Sequence, residues 1–105
     1  MTVTERVERG AELLDKHVPG WEQSVSFGNL HMGRCDRCIL GQVFHQSYGG
    51  LERLGLSRRI ACDYGFDITD AEAEKTLTGN SSFNDLANEW KQLITKRLRE
   101  QSNVR

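Results

Sequence analysis

Apolar residues recur at spacings of three and four from the start of the chain. Val3, Val7, Ala11, Leu14 and Val18 fall on one helical face, while Glu5, Arg6, Glu8, Arg9 and Glu12 point elsewhere. This predicts an amphipathic helix, capped at its start by Thr2 or Thr4 and stopped by Pro19-Gly20. Gly10 weakens that helix by about 1 kcal/mol relative to alanine. Trp21 follows the stop directly; an indole there folds back as a core or rim anchor, or else stacks on a ligand or partner. Between Ser24 and Arg34 the apolar residues Val25, Phe27, Leu30 and Met32 are spaced by twos and threes and broken by Gly28 and Gly33, which predicts an irregular loop.

The densest apolar run is Cys35 to Phe44, CDRCILGQVF. Leu40, Phe44, Tyr48 and Leu51 share one helical phase, and Ile39 and Val43 share the next, giving a wide apolar arc. A buried helix from Cys38 to Ser47 is expected, with a strand through ILGQVF as the competitor, since short apolar runs are ambiguous by period. Gly49-Gly50 is expected to end or kink it, followed by a short turn through Leu51, Leu54 and Leu56 closed by Gly55. Ser57 reads as the cap of a brief helix holding Ile60 and Ala61, ended at Tyr64-Gly65. Residues 67–82 are polar and expected to be irregular or mobile, with Thr69 or Asp70 able to cap AEAEKTL and a turn cluster at 78–81. Ser82 with Asp85 resembles a capping-box start to the clearest helix, along which Phe83, Leu86, Ala87, Trp90, Leu93, Ile94 and Leu98 keep phase. Its basic end, with Lys91, Lys96, Arg97 and Arg99, complements the helix dipole.

These elements predict a mainly α, single-domain helical bundle over residues 1–105, with an irregular, loop-rich middle. The first helix, the central helix and the last helix are expected to pack together around Ile39, Leu40, Val43 and Phe44. The length of 105 residues leaves no room for two useful cores. A formal charge of −1 gives no global field toward phosphate backbones or anionic lipid, so nucleic acid is a disfavoured partner. No apolar run is long enough to span a membrane, which points to a cytoplasmic protein. Three cysteines cannot all pair within one chain, so core fillers, metal ligands or reactive thiols are the readings for Cys35, Cys38 and Cys62.

Cys35-Asp-Arg-Cys38 is the spacing with the clearest chemical meaning, because two thiolates three residues apart can converge on one tetrahedral metal. The remaining zinc ligands would come from His31, His45 and Cys62. The competing reading makes Cys38 a small core residue before Ile39 and Leu40. No serine, acid or cysteine is tied to His17, His31 or His45 by a catalytic spacing, so the chain is expected not to be an enzyme and to need no cofactor. Gln42, beside Gly41 in an apolar helix, stands where another backbone can approach and be hydrogen-bonded, either within the chain or from a partner. Arg53, Arg58 and Arg59 cluster near Leu56-Ser57; a solvated face is the reading, over a phosphate-contacting helix-turn-helix. Gln42, Trp21 and Arg53 are the candidate partner contacts.

In VERGAELLDKHVPGW, CILGQVF, SYGGLERLGL, YGFDI and LANEWKQLI, the chain resembles a group of small proteins of unknown function encoded by phages of actinobacteria. The likeness spans most of the chain and leaves out the acidic stretch around Ala71 to Leu77. It implies a phage product in the host cytoplasm and brings no activity, cofactor or catalytic residue. Small phage proteins of this kind often bind and redirect a host protein. The expected function is therefore non-enzymatic contact with a host factor, the rival being a small zinc module that touches nucleic acid, with a homo-oligomer left open.

Overall fold

In chain order the α-helices are α1 (Val3–His17), α2 (Ile39–Phe44), α3 (Ser47–Arg53), α4 (Asp70–Glu74) and α5 (Asn80–Asn103). Three 3-10 turns, Trp21–Ser24, Phe27–Asn29 and Ala61–Tyr64, lie between them. The structure is a computed structural model that describes residues 2–34, 37–44, 47–57, 59–74 and 80–103. Among the described residues there is no strand, so the mainly α class read from the periodicity is the one observed.

Thr2 caps α1, its Oγ1 accepting from the Glu5 N–H at 3.1 Å. Val7, Ala11 and Leu14 form the buried face as the spacing predicts. Arg6 does not point away from it: only 6% of its surface is exposed. Gly10 is buried on the same stripe, one turn along. A Cβ there would collide with the Tyr64 carbonyl oxygen and lie 3.1 Å from the Trp90 ring, so the glycine lets α1 meet the Ala61–Tyr64 turn backbone to backbone. Gly65 closes that turn at φ +71°, and a Cβ on it would lie 2.9 Å from the Val7 Cα. Its carbonyl accepts a 2.6 Å hydrogen bond from the Trp90 indole.

Trp90 is the meeting point of the terminal helices. It is fully buried, edge-on to the equally buried Trp21 with centroids 5.7 Å apart, and stacked on Phe66 at 5.6 Å. Ile39, Leu40 and Val43 join the same core and Phe44 is half-buried. The main neighbours of α2 are α3 and the Trp21–Ser24 turn, while those of α1 are the Ala61–Tyr64 turn and α5. The hub is therefore shared between the central run and the two tryptophans.

Local expectations fail where side chains find distant partners. Gly49-Gly50 does not end a helix; α3 runs through it. Gly50 is buried, and a Cβ on it would lie 3.0 Å from Leu40 Cβ and 3.1 Å from Phe44 Cδ2, so it allows α2 and α3 to lie close. Gly55 closes α3 as expected, at φ +73°, with the Leu56 N–H donating to the Leu51 carbonyl and the Gly55 N–H to that of Glu52. The turn after Ser57 begins at Ala61 behind Ile60, with no side-chain cap. Thr69 does cap α4: the Glu72 N–H donates to Thr69 Oγ1 at 3.1 Å, and the Thr69 N–H to Glu72 Oε1 at 2.8 Å. Ser82 is inside α5, which starts at Asn80, and its hydroxyl donates to the Glu72 carbonyl at 2.7 Å. It fastens α5 to α4 instead of capping. Of the polar stretch expected to be irregular, 70–74 is helical and 75–79 lies outside the described residues.

Candidate functional site

The α2 and α3 helices carry two of the expected contact residues. Gln42 is half-buried and its amide is fully engaged with this chain's own backbone: Oε1 accepts from the Ser26 N–H at 2.6 Å, and Nε2 donates to the Ser26 carbonyl at 3.3 Å and the Arg37 carbonyl at 2.9 Å. The close backbone expected beside Gly41 is thus the loop after Trp21, and the amide ties that loop and Arg37 to α2. Cys38 stands at the start of α2, its Sγ 3.3 Å from the Gly41 N–H that donates to it. Arg53, at the end of α3, is exposed, and its guanidinium lies 5.8 Å from the ring centroid of half-buried Phe44. That placement fits an exposed arginine in cation–π contact with the ring.

Trp21 is interior to this chain. It is 0% exposed, and its indole N–H donates to Asp15 Oδ1 at 3.0 Å. Asp15 also accepts from Arg97 at 2.7 and 2.9 Å. Arg97 lies 6.0 Å over the Trp21 ring and 3.8 Å from the buried Glu22 carboxylate, which accepts from Gln101 at 3.2 Å. The residue read as core anchor or stacking platform is the anchor, and a carboxylate and an arginine from α1 and α5 enclose it.

A partly buried ion pair holds α4. Arg6 donates to both Glu72 oxygens, at 3.0 and 2.6 Å, with 7% and 19% of the two side chains exposed. The arginine hydrogen bonds hold the Glu72 carboxyl down at about 2 against the opposing effect of burial, helped by the Thr69 N–H. Arg6 is pushed up in turn, chiefly by Glu72. Its Nε is buried without a hydrogen-bond partner. Half-buried Cys62 is raised by burial first and by Asp63 next, with Arg6 opposing. A thiol shifted that way is less nucleophilic at neutral pH.

Of the zinc ligands expected, Cys35 and His45 lie outside the described residues, as does Arg58. His31 is exposed and its Nδ1 accepts from the Gly33 N–H at 3.1 Å. Among the described residues no three His, Cys, Asp or Glu side chains form a group that could hold a metal ion. Among them, too, no helix is long and apolar enough to cross a membrane, and Phe27 and Ile60 are the large apolar side chains exposed beyond a third. A groove of about 390 Å³ opens between α1 and α5, with Val7 and Leu93 among its lining residues and Glu8, Glu89, Lys96 and Arg97 beside them.

No protein-family model, curated protein or solved structure matches this chain.

Sequence reasoning missed Arg6, Glu72 and Asp15. The available signals were Arg6 and Gly10 one turn apart on the apolar stripe, and Thr69 followed three residues later by Glu72. Neither signal says that the two places meet.

Proposed function

We propose that this chain is an accessory protein of phage origin that works without catalysis, in the cytoplasm of its host, by contact with a host protein. The observation that carries this reading is Arg53, an exposed arginine at the end of α3 lying over the half-buried Phe44 ring. Arginine and aromatic side chains dominate the energetics of protein interfaces, and an arginine already positioned on a ring loses less freedom when a partner arrives. Several side chains with chemical potential elsewhere among the described residues are engaged within the chain, which supports the same reading. Gln42 clamps Ser26, Cys38 accepts from Gly41, and Asp15 and Glu72 are held by arginines.

Affinity capture from an actinobacterial lysate tests it, with the wild-type chain, Arg53→Ala and Arg53→Lys as baits. One host protein is expected to be enriched by the wild type, lost with Arg53→Ala and largely lost with Arg53→Lys, which keeps the charge but not the planar guanidinium. Equal capture by all three baits would remove Arg53 from the interface. No enrichment by the wild type would remove the host partner altogether.

A further inference from the structure

The short helix α4 differs from α1, α2 and α5 in what holds it. Asp70, Ala71, Ala73 and Glu74 are exposed and Glu72 is half-buried, so α4 puts no apolar side chain into the core. Among the described residues its attachments to the body meet at Glu72: the carboxylate accepts from Arg6 at 3.0 and 2.6 Å, and the carbonyl accepts from Ser82 at 2.7 Å. The bonds between Glu72 and Thr69 lie within the segment and move with it. The chain is fastened on both sides, because Phe66 is stacked on Trp90, and Ser82 and Leu86 are buried on α5. A segment with few buried apolar contacts between fixed ends opens more readily than the core does.

What α4 rests on is shaped for a carboxylate. Arg6 gives one N–H donor to each oxygen of Glu72, the fork that a planar carboxylate matches. The internal pair still leaves Arg6 Nε buried without a hydrogen-bond partner, so Glu72 does not satisfy the guanidinium in full. The ground beneath Arg6 is built without α4: the Ala61–Tyr64 turn meets α1 so closely that a Cβ on Gly65 would lie 2.9 Å from the Cα of the adjacent Val7. The charge of Asp63 on that turn reaches Arg6, and an acid there disfavours a doubly charged phosphate more than a singly charged carboxylate. We propose that α4 is a displaceable strap: it lifts from Arg6 while the core stays folded, and the site it uncovers takes a carboxylate from outside the chain in place of Glu72. This does not depend on the host contact proposed at Arg53, which lies on α3.

Native-state hydrogen exchange of the full wild-type chain tests the lifting. The Ala73 N–H donates to the Thr69 carbonyl at 2.9 Å, and a helix this short does not persist off the body, so that amide exchanges when α4 lifts. Relative to intrinsic rates it is expected to exchange at least about tenfold faster than the Ile94 amide of α5, and to ignore low urea while Ile94 speeds up. Equal protection of the two amides, or an equally steep response to urea, would overturn the proposal. The site is tested with Glu72→Ala, using acetate as the probe against chloride at equal ionic strength. Acetate at several times its Kd should raise the melting temperature of Glu72→Ala by about 5 °C. The wild type, filled by its own carboxylate, and the double variant Arg6→Met with Glu72→Ala, which lacks the guanidinium, should show no such rise. No rise in Glu72→Ala, an equal rise in the double variant, or phosphate acting as well as acetate would each overturn the carboxylate site. If Glu72→Ala is unfolded at room temperature, the same comparison is read as refolding on addition of acetate, and the wild-type exchange measurement stands whatever the variant does.

Discussion

Gly10 separates two physical effects that act in opposite directions. On helix propensity alone, Gly10→Ala should stabilise α1 by about 1 kcal/mol. The added methyl would collide with the Tyr64 carbonyl and press on the Trp90 ring, in a region where Trp90 is also hydrogen-bonded to Gly65. Overpacking of this kind costs about 1–3 kcal/mol, and a backbone oxygen yields less than a side chain does. Gly10→Ala is therefore expected to lower the urea midpoint; an unchanged or raised midpoint would mean that α1 and the Ala61–Tyr64 turn are farther apart than described. Cys62 gives a second expectation at this scale. Burial and Asp63 raise its pKa, so at about pH 8 it should be alkylated by iodoacetamide more slowly in the native chain than in urea. Peptide mass mapping reads this site by site, and equal rates in the two states would contradict the described environment.

At the scale of elements, α4 is five residues long and too short to persist by itself. Among the described residues, Glu72 carries the bonds that hold it: the bidentate Arg6 pair, the reciprocal bonds with Thr69 and the Ser82 hydroxyl on its carbonyl. Glu72→Gln takes the nearest counter-ion from the buried Arg6 charge, a change expected to cost about 1–3 kcal/mol because the pair is only partly buried. Denaturant unfolding at neutral pH is expected to show that loss, and a second substitution, Arg6→Met, to recover part of it by removing the uncompensated charge. A Glu72→Gln chain as stable as the wild type would show that the pair contributes nothing net.

For the molecule as a whole, the same pair imposes a pH dependence. The Glu72 carboxyl titrates at about 2 in the folded chain against an ordinary 4.5, so its contribution is fully present above that ordinary value and lost as pH falls toward 2. Stability measured from neutral pH down to about 2 should decline for the wild type and decline less for Glu72→Gln. Parallel curves would locate the acid sensitivity elsewhere.

How much could be read beforehand differs from residue to residue. The helix through Trp90 and the stripe through Val7, Ala11 and Leu14 were legible, because a buried helical face repeats every three or four residues whatever it packs on. Gly55 and Gly65 were legible as stops, because left-handed backbone favours glycine. Gly50 was misread as a break. A glycine that ends a helix and one that admits a neighbouring helix look alike in one dimension. Of the expected contact residues, Arg53 is exposed, Gln42 holds its own chain and Trp21 is interior, a division that depends on what each segment folds against.

The sequence by itself determined the class, a mainly α chain with amphipathic terminal helices, because periodicity, caps and stops are local properties of the backbone. Only the tertiary structure decided that Arg6 turns inward to Glu72, 66 residues away, that Asp15 holds Arg97 against Trp21, and that Gly10 stands under Tyr64. Each of these joins groups far apart in the chain, and the energy of burying a charge or excluding a methyl exists only once both sides are in place.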